Sequence, residues 1–124
     1  MQLLASATKS DALPRVLVAE QDGNLLGSVN LVSCDCPVRP DLTPWLAQLF
    51  MAPEHRKMGV GATLVRAAQD SARDMGFETL HLFTSGTLPN YYRSLGWSEI
   101  ETFTYHGRKR TLMAYDLLRA RVRL

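Results

Sequence analysis

No apolar run in this 124-residue chain approaches the roughly 18–20 residues that a membrane-spanning helix needs. The opening stretch, MQLLASATKSDALP, lacks the basic start and long apolar core of a secretory leader. No membrane partner and a cytoplasmic location are therefore expected. Cysteine is scarce, with only Cys34 and Cys36, arranged as C-x-C. Strand neighbours two apart share a face, but a disulfide between them would be strained. No second cysteine pair or nearby histidine supports zinc, so free thiols and no metal are expected. Charge of one sign is also weak. The formal net charge is +2, much of it from Arg108, Lys109, Arg110, Arg119, Arg121 and Arg123. That excess is too small and scattered to argue for a nucleic-acid partner.

What is present suits an ordinary globular chain, 46% hydrophobic and 21% charged. Its length fits a single domain over residues 1–124, with no repeat, linker or low-complexity tract. RVLVAE (15–20) and NLLGSVNLVSCD (24–35) read as strands joined at Asp22-Gly23, a hairpin turn signal. The proline-rich CPVRPDLTP (36–44) reads as a loop, and WLAQLFM (45–51) as a strand covered on both faces. Val60, Leu64, Val65, Ala68, Ala72 and Met75 fall at helical spacing, with Gly76 as the stop. ETLHLFT (78–84) is the next strand, so 45–84 forms a strand–helix–strand unit with parallel strands. PNYYRSLG (89–96) reads as a short helix; WSEIETFTYH (97–106) and RTLMAYDLL (110–118) read as an antiparallel pair turning at Gly107. The order β-β-β-α-β-α-β-β gives an α/β class: a mixed, mostly antiparallel sheet around a central parallel βαβ unit.

The stretch PEHRKMGVGATLV (53–65) places Gly59 and Gly61 between that central strand and the helix. A helix start leaves backbone N–H groups without partners, and its dipole favours an anion. Glycines let phosphate approach the backbone closely, and Arg56 and Lys57 add charge at the entrance. An ordinary surface turn explains Gly-x-Gly equally well when it is taken alone. A Walker loop fails for want of Lys-Ser/Thr, and a dinucleotide fingerprint fails because Leu64 replaces the third glycine.

Arg56-Lys57-Met58-Gly59-Val60-Gly61 does match Arg/Gln-x-x-Gly-x-Gly/Ala. Together with YYRSLGW (91–97) and the Met-containing strand GRKRTLMAYDL, it resembles the GNAT superfamily of N-acetyltransferases over roughly residues 15–118. The resemblance implies a GNAT-like, acyl-CoA N-acyltransferase fold, with acetyl-CoA as co-substrate and a small-molecule or protein amine as acceptor. It further implies that backbone groups of Leu49, Phe50 and Met51 meet the pantetheine arm. Backbone N–H groups of Met58, Gly59, Val60, Gly61 and Ala62 would hold the pyrophosphate, assisted by Arg56 and Lys57.

Tyr92 lies four residues before Gly96, where the family often carries the tyrosine that protonates the leaving thiolate. A phenol with a pKa near 10 is a plausible proton source for a thiolate whose thiol lies near 8.5. An aromatic packing the short helix onto the sheet is the alternative role, which Tyr91 or Trp97 can fill instead. No general base stands out. WLAQLFM holds neither Glu nor His, and Asp41, Glu54, His55 and His81 have no decisive claim. About 14 residues precede RVLVAE, fewer than the strand and helices with which the family usually begins. A homodimer is expected, since unpaired strand edges invite addition. The leading function is acetyl transfer to a primary amine, an EC 2.3.1-type activity. The alternative is a noncatalytic acyl-CoA-binding module of the same fold.

Overall fold

The computed structural model describes residues 13–34, 36, 38–52 and 59–118, together with the strand pairing of residues 2–7. The elements in chain order are β1 (Gln2–Ala7), β2 (Arg15–Gln21), β3 (Asn24–Val32) and β4 (Trp45–Met51). They continue with α1 (Val60–Asp74), β5 (Thr79–Thr84), α2 (Leu88–Ser94), β6 (Ser98–Tyr105) and β7 (Arg108–Asp116). The strands form one sheet in the order β1-β2-β3-β4-β5-β7-β6. All neighbours are antiparallel except β4 and β5, so the sheet is mixed with one parallel pair, as expected.

One strand was not anticipated. Gln2–Ala7 pairs antiparallel with β2, from Gln2↔Glu20 to Ala7↔Arg15. Its sequence, QLLASA, has none of the β-branched or aromatic residues that mark a strand, so pairing decides its state.

Local chemistry explains both hairpins. Asp22 and Gly23 both take positive φ, 54° and 79°, and His106 and Gly107 repeat this at 52° and 73°. Two consecutive left-handed residues match the twist of the flanking strands. Each helix also ends in one shared way. In α1, the Gly76 N–H donates to the Arg73 carbonyl and the Phe77 N–H to the Ala72 carbonyl. In α2, the Gly96 N–H donates to the Arg93 carbonyl and the Trp97 N–H to the Tyr92 carbonyl. This paired stop needs a left-handed residue after the helix, and Gly76 (φ 94°) and Gly96 (φ 101°) supply it.

The main core lies between one face of the sheet and the helices. Leu64, Val65, Ala68 and Ala72 of α1 meet Leu26, Val29, Leu31 and Leu46, together with Leu80, Leu82 and Met113. Gly27 is small because α1 rides directly over it. A Cβ there would stand 2.6 Å from the Phe50 carbonyl oxygen and 3.0 Å from Leu64 Cδ1. The opposite face carries a smaller cluster of Cys36, Trp45 and Leu112, flanked by Val32, Leu42, Phe83 and Phe103. The loop between β3 and β4 contributes Cys36 and Leu42 to it. Cys34 and Cys36 are free thiols, the first exposed and the second buried.

Candidate active site

The parallel strands touch at one register pair, Trp45↔His81, and no further ladder joins them among the described residues. A bulge on β4 lies just beyond. The β3–β4 register slips by one residue between Ser28 and Asn30, and Gln48 takes a left-handed φ of 55°. The chain therefore bends away from β5 toward its carboxyl end, leaving a gap in the middle of the sheet.

Backbone direction in that stretch follows from the ladder. The Ala52 N–H donates to the Leu26 carbonyl. Alternation then places Ser28–Phe50 as a bonded pair and Gly27–Met51 as a non-bonded one. The N–H and C=O of Met51 thus face the gap, while those of Phe50 are turned to β3. This corrects the expectation that Phe50 offers backbone groups to a ligand there. Its side chain lies on the sheet face away from α1 and is 46% exposed.

A cleft of about 500 Å³ opens at this end of the sheet. Leu49 and Met51 line it from β4, Gly59, Gly61 and Ala62 from the start of α1, and Thr87, Leu88, Tyr91 and Tyr92 from α2 and its cap. Leu49, Met51, Gly59, Gly61, Ala62 and Tyr92 are thereby brought together. Val60 is turned into the core, 1% exposed, so only its backbone is available. Arg56, Lys57 and Met58 lie outside the described residues.

The start of α1 is open. Gly59 takes φ 74° at the cap, and among the described residues no side chain caps the turn and no acidic residue sits in it. Thr63 is the first residue whose N–H is bonded back, to the Gly59 carbonyl. The N–H groups of Val60, Gly61 and Ala62 have no partner among the described residues. A bare helix start of this kind attracts an anion. Gly61 must be small for a different reason. A Cβ on it would lie 2.6 Å from Met51 Sδ and 3.2 Å from the Tyr91 hydroxyl.

Across the cleft stand two tyrosines in edge contact, with ring centroids 5.2 Å apart. Tyr92 is 6% exposed and its ring meets Trp97 at 6.0 Å. That contact is the apolar partner of the helix stop, so the spacing Tyr-x-x-x-Gly-Trp has a local cause. Neither hydroxyl has a hydrogen-bond partner among the described residues. Burial, with a smaller contribution from Tyr91, pushes the Tyr92 phenol up to about 12. Burial also raises Tyr91. Sequence reasoning missed Thr87 and Leu88 as lining residues; their place just past the carboxyl end of a parallel strand was the available signal.

His81 lies on the other face, against Trp45 at 5.4 Å. Its Nδ1 sits 3.1 Å from the Pro44 carbonyl, which only accepts, so Nδ1 carries the hydrogen. Burial lowers its pKa, and Arg39 adds to the effect against the Pro44 and Asp41 contributions. Asp41 is held below the usual carboxylate range by the hydrogen bond from Arg39, which also bonds Glu101. These groups belong to a packed cluster at the Trp45 end, and none lines the cleft. Among the described residues no group of acidic, His or Cys side chains suits a metal ion. None of the described helices is long and apolar enough to cross a membrane.

Comparison with known proteins adds a family. A family model described as Acetyltransferase (GNAT) family matches residues 2–97. Human N-acetyltransferase 8 is 33% identical over 86 residues, covering 66% of this chain and 37% of that protein. The chain thus spans less than half the length of the curated relatives it matches. Among solved structures, yncA, a putative acetyltransferase from Salmonella typhimurium with acetyl-CoA, has a TM-score of 0.68 at 22% identity. The match covers 85% of this chain and 65% of that one. A spermidine N-acetyltransferase chimera of Vibrio cholerae SpeG and hSSAT has a TM-score of 0.69 at 25% identity. It covers 88% and 70% of the two chains.

Proposed function

The chain belongs to the Acetyltransferase (GNAT) family, and from that premise we propose that it moves the acetyl group of acetyl-CoA directly to a primary amine. One observation carries this reading. The open N–H groups of Val60, Gly61 and Ala62 lie beside a glycine cradle, and two unbonded tyrosine hydroxyls face them across the same cleft. The fit to a CoA pyrophosphate rests on those backbone donors at the start of α1. Acetyl-CoA supplies an acyl carbon already activated as a thioester.

The backbone N–H groups of residues 60–62 bind the pyrophosphate; Arg56 and Lys57, which precede them in the sequence, are proposed to add positive charge. Leu49 and Met51 flank the pantetheine arm. The Met51 N–H, free of the β3 ladder, is the donor placed to stabilise negative charge on the carbonyl oxygen. As the amine nitrogen bonds to the acyl carbon, it loses a proton to solvent. The carbon–sulfur bond breaks, the Tyr92 phenol gives its proton to the departing sulfur, and solvent then reprotonates the phenolate. A phenol near 12 is a weaker acid than a free thiol near 8.5. The thiolate emerges in the same desolvated cleft, however, where burial raises its basicity too.

The test is acetyl-CoA binding followed by thiol release with amine acceptors. If Tyr92 is the acid, activity loses its alkaline limb toward pH 12 rather than pH 10. Binding that ignores changes at residues 59–62 would sink the cradle. A noncatalytic acyl-CoA-binding module remains the second reading, favoured by the absence of a carboxylate or histidine among the described cleft residues. Tight binding with no thiol release from any amine would select it. We also infer a cytoplasmic homodimer joined through an outer strand of the sheet, β1 or β6. Sedimentation of the full chain reads its mass, and a monomer throughout would refute the dimer.

A further inference from the structure

We propose that the acceptor is a small primary amine that also carries a carboxylate, and that the β6–β7 hairpin reads that carboxylate. The inference rests on the acetyl-transfer reading above and names its substrate class. It starts from topology. Because β4 and β5 are parallel and β7 is antiparallel to β5 (Thr84↔Thr111), the His106-Gly107 turn projects at the carboxyl end of β4 and β5. That is the end where the central gap and the cleft open. An amine approaching from the face away from α1 meets the gap and the hairpin together.

The chemistry of that face is specific. Phe83, Phe103 and Tyr105 form an aromatic row, with Phe83 in edge contact with Phe103 at 5.9 Å and with Tyr105 at 6.2 Å. Each is only half-buried, so the row offers an apolar floor. Arg110 is the cross-strand partner of Phe103, and Arg108 of Tyr105, which puts both arginines beside the row. Neither has an ion pair among the described residues, and Arg110 Nε is buried without a hydrogen-bond partner. The acids of the same surface are already used: Glu101 and Asp41 both pair with Arg39. What remains unpaired is cationic. Two guanidinium groups without an ion pair among the described residues, beside an apolar floor, suit an acceptor with two oxygens, which a carboxylate provides. A polycation would meet like charge there.

In the step itself the nitrogen–carbon bond forms and the carbon–sulfur bond breaks. The amine proton goes to solvent, the sulfur takes a proton from Tyr92, and solvent returns a proton to the Tyr92 phenolate, giving amide and free thiol. The carboxylate is unchanged and serves only to hold the amine.

Phenylalanine, phenylalaninamide and spermidine, supplied to the full chain with acetyl-CoA, test this in a thiol-release assay. The expected result is a kcat/KM for phenylalanine at least 10-fold above both others. Arg110→Gln should raise the KM for phenylalanine about 10-fold more than that for phenylalaninamide, and Arg108→Gln should do so to a smaller degree. Calorimetry should show N-acetylphenylalanine binding the CoA-saturated protein more tightly than its amide. Turnover of spermidine or the amide at or above that of phenylalanine would overturn the inference and leave acetyl transfer standing. So would equal binding of the two acetylated products. Failure to bind acetyl-CoA would overturn the transferase reading, and this inference with it.

Discussion

The two faces of the sheet are built from the same strands yet solve different problems. On one face, α1 seals a dense core in which its own Leu64, Val65, Ala68 and Ala72 are 0–1% exposed. On the other, an aromatic row, an ion cluster around Arg39 and a loop leave much of the surface half-open. Rigidity and access are thus assigned to opposite sides. A helix whose first turn must hold an anion needs a fixed seat, whereas a surface that admits an incoming amine needs unfilled space.

The contrast breaks first at the core. Leu64→Ala should cost about 2–5 kcal/mol of unfolding free energy, against about 1–2 kcal/mol for Phe103→Ala on the open face. Urea titrations of both variants give the comparison, and equal losses would contradict it. Next comes Tyr92→Phe, which keeps the ring and its contact with Trp97. Turnover should fall about 100-fold, roughly 2.7 kcal/mol at the transition state, with acetyl-CoA affinity nearly unchanged. Gly61→Ala acts more mildly. Its Cβ meets the end of the flexible Met51 side chain, so folding survives while acetyl-CoA binding weakens about 10-fold, near 1.4 kcal/mol, measurable by calorimetry.

The smallest effect belongs to the open face and depends on pH. His81 is lowered from 6.5 by burial, so its unfolded form takes up protons before the folded form does. Its contribution to stability is full above pH 6.5 and is lost as pH falls through the folded value. Thermal midpoints at pH 7.5 and pH 5 should therefore diverge more for the native chain than for His81→Gln. Equal divergence would remove His81 from the account.

Much of this was legible in the residues. The helix stops at Gly76 and Gly96, the two hairpin turns and the parallel pair all follow from short-range signals that tertiary contacts reinforce. β1 was not legible, because QLLASA becomes a strand only by pairing with β2. Nor was the bulge at Gln48, a residue with no intrinsic call for left-handed backbone, and that bulge opens the gap. The cleft was half-visible. Gly59, Gly61 and Tyr92 announce themselves, whereas Thr87 and Leu88 join only through the direction in which β5 ends. The Phe50 backbone was misassigned because strand parity, which needs a ladder to define it, decides which neighbour it faces.

Among the described residues, the single Trp45–His81 pair makes the sheet two panels bound along one short seam. β1 to β4 form the first, and β5, β7 and β6 the second. Every strand pairing among the described residues except the one at the seam lies within a panel. Beyond that seam the panels are joined by side-chain packing, with Leu46 meeting Leu80 under α1 and Trp45 meeting Leu112 on the other face.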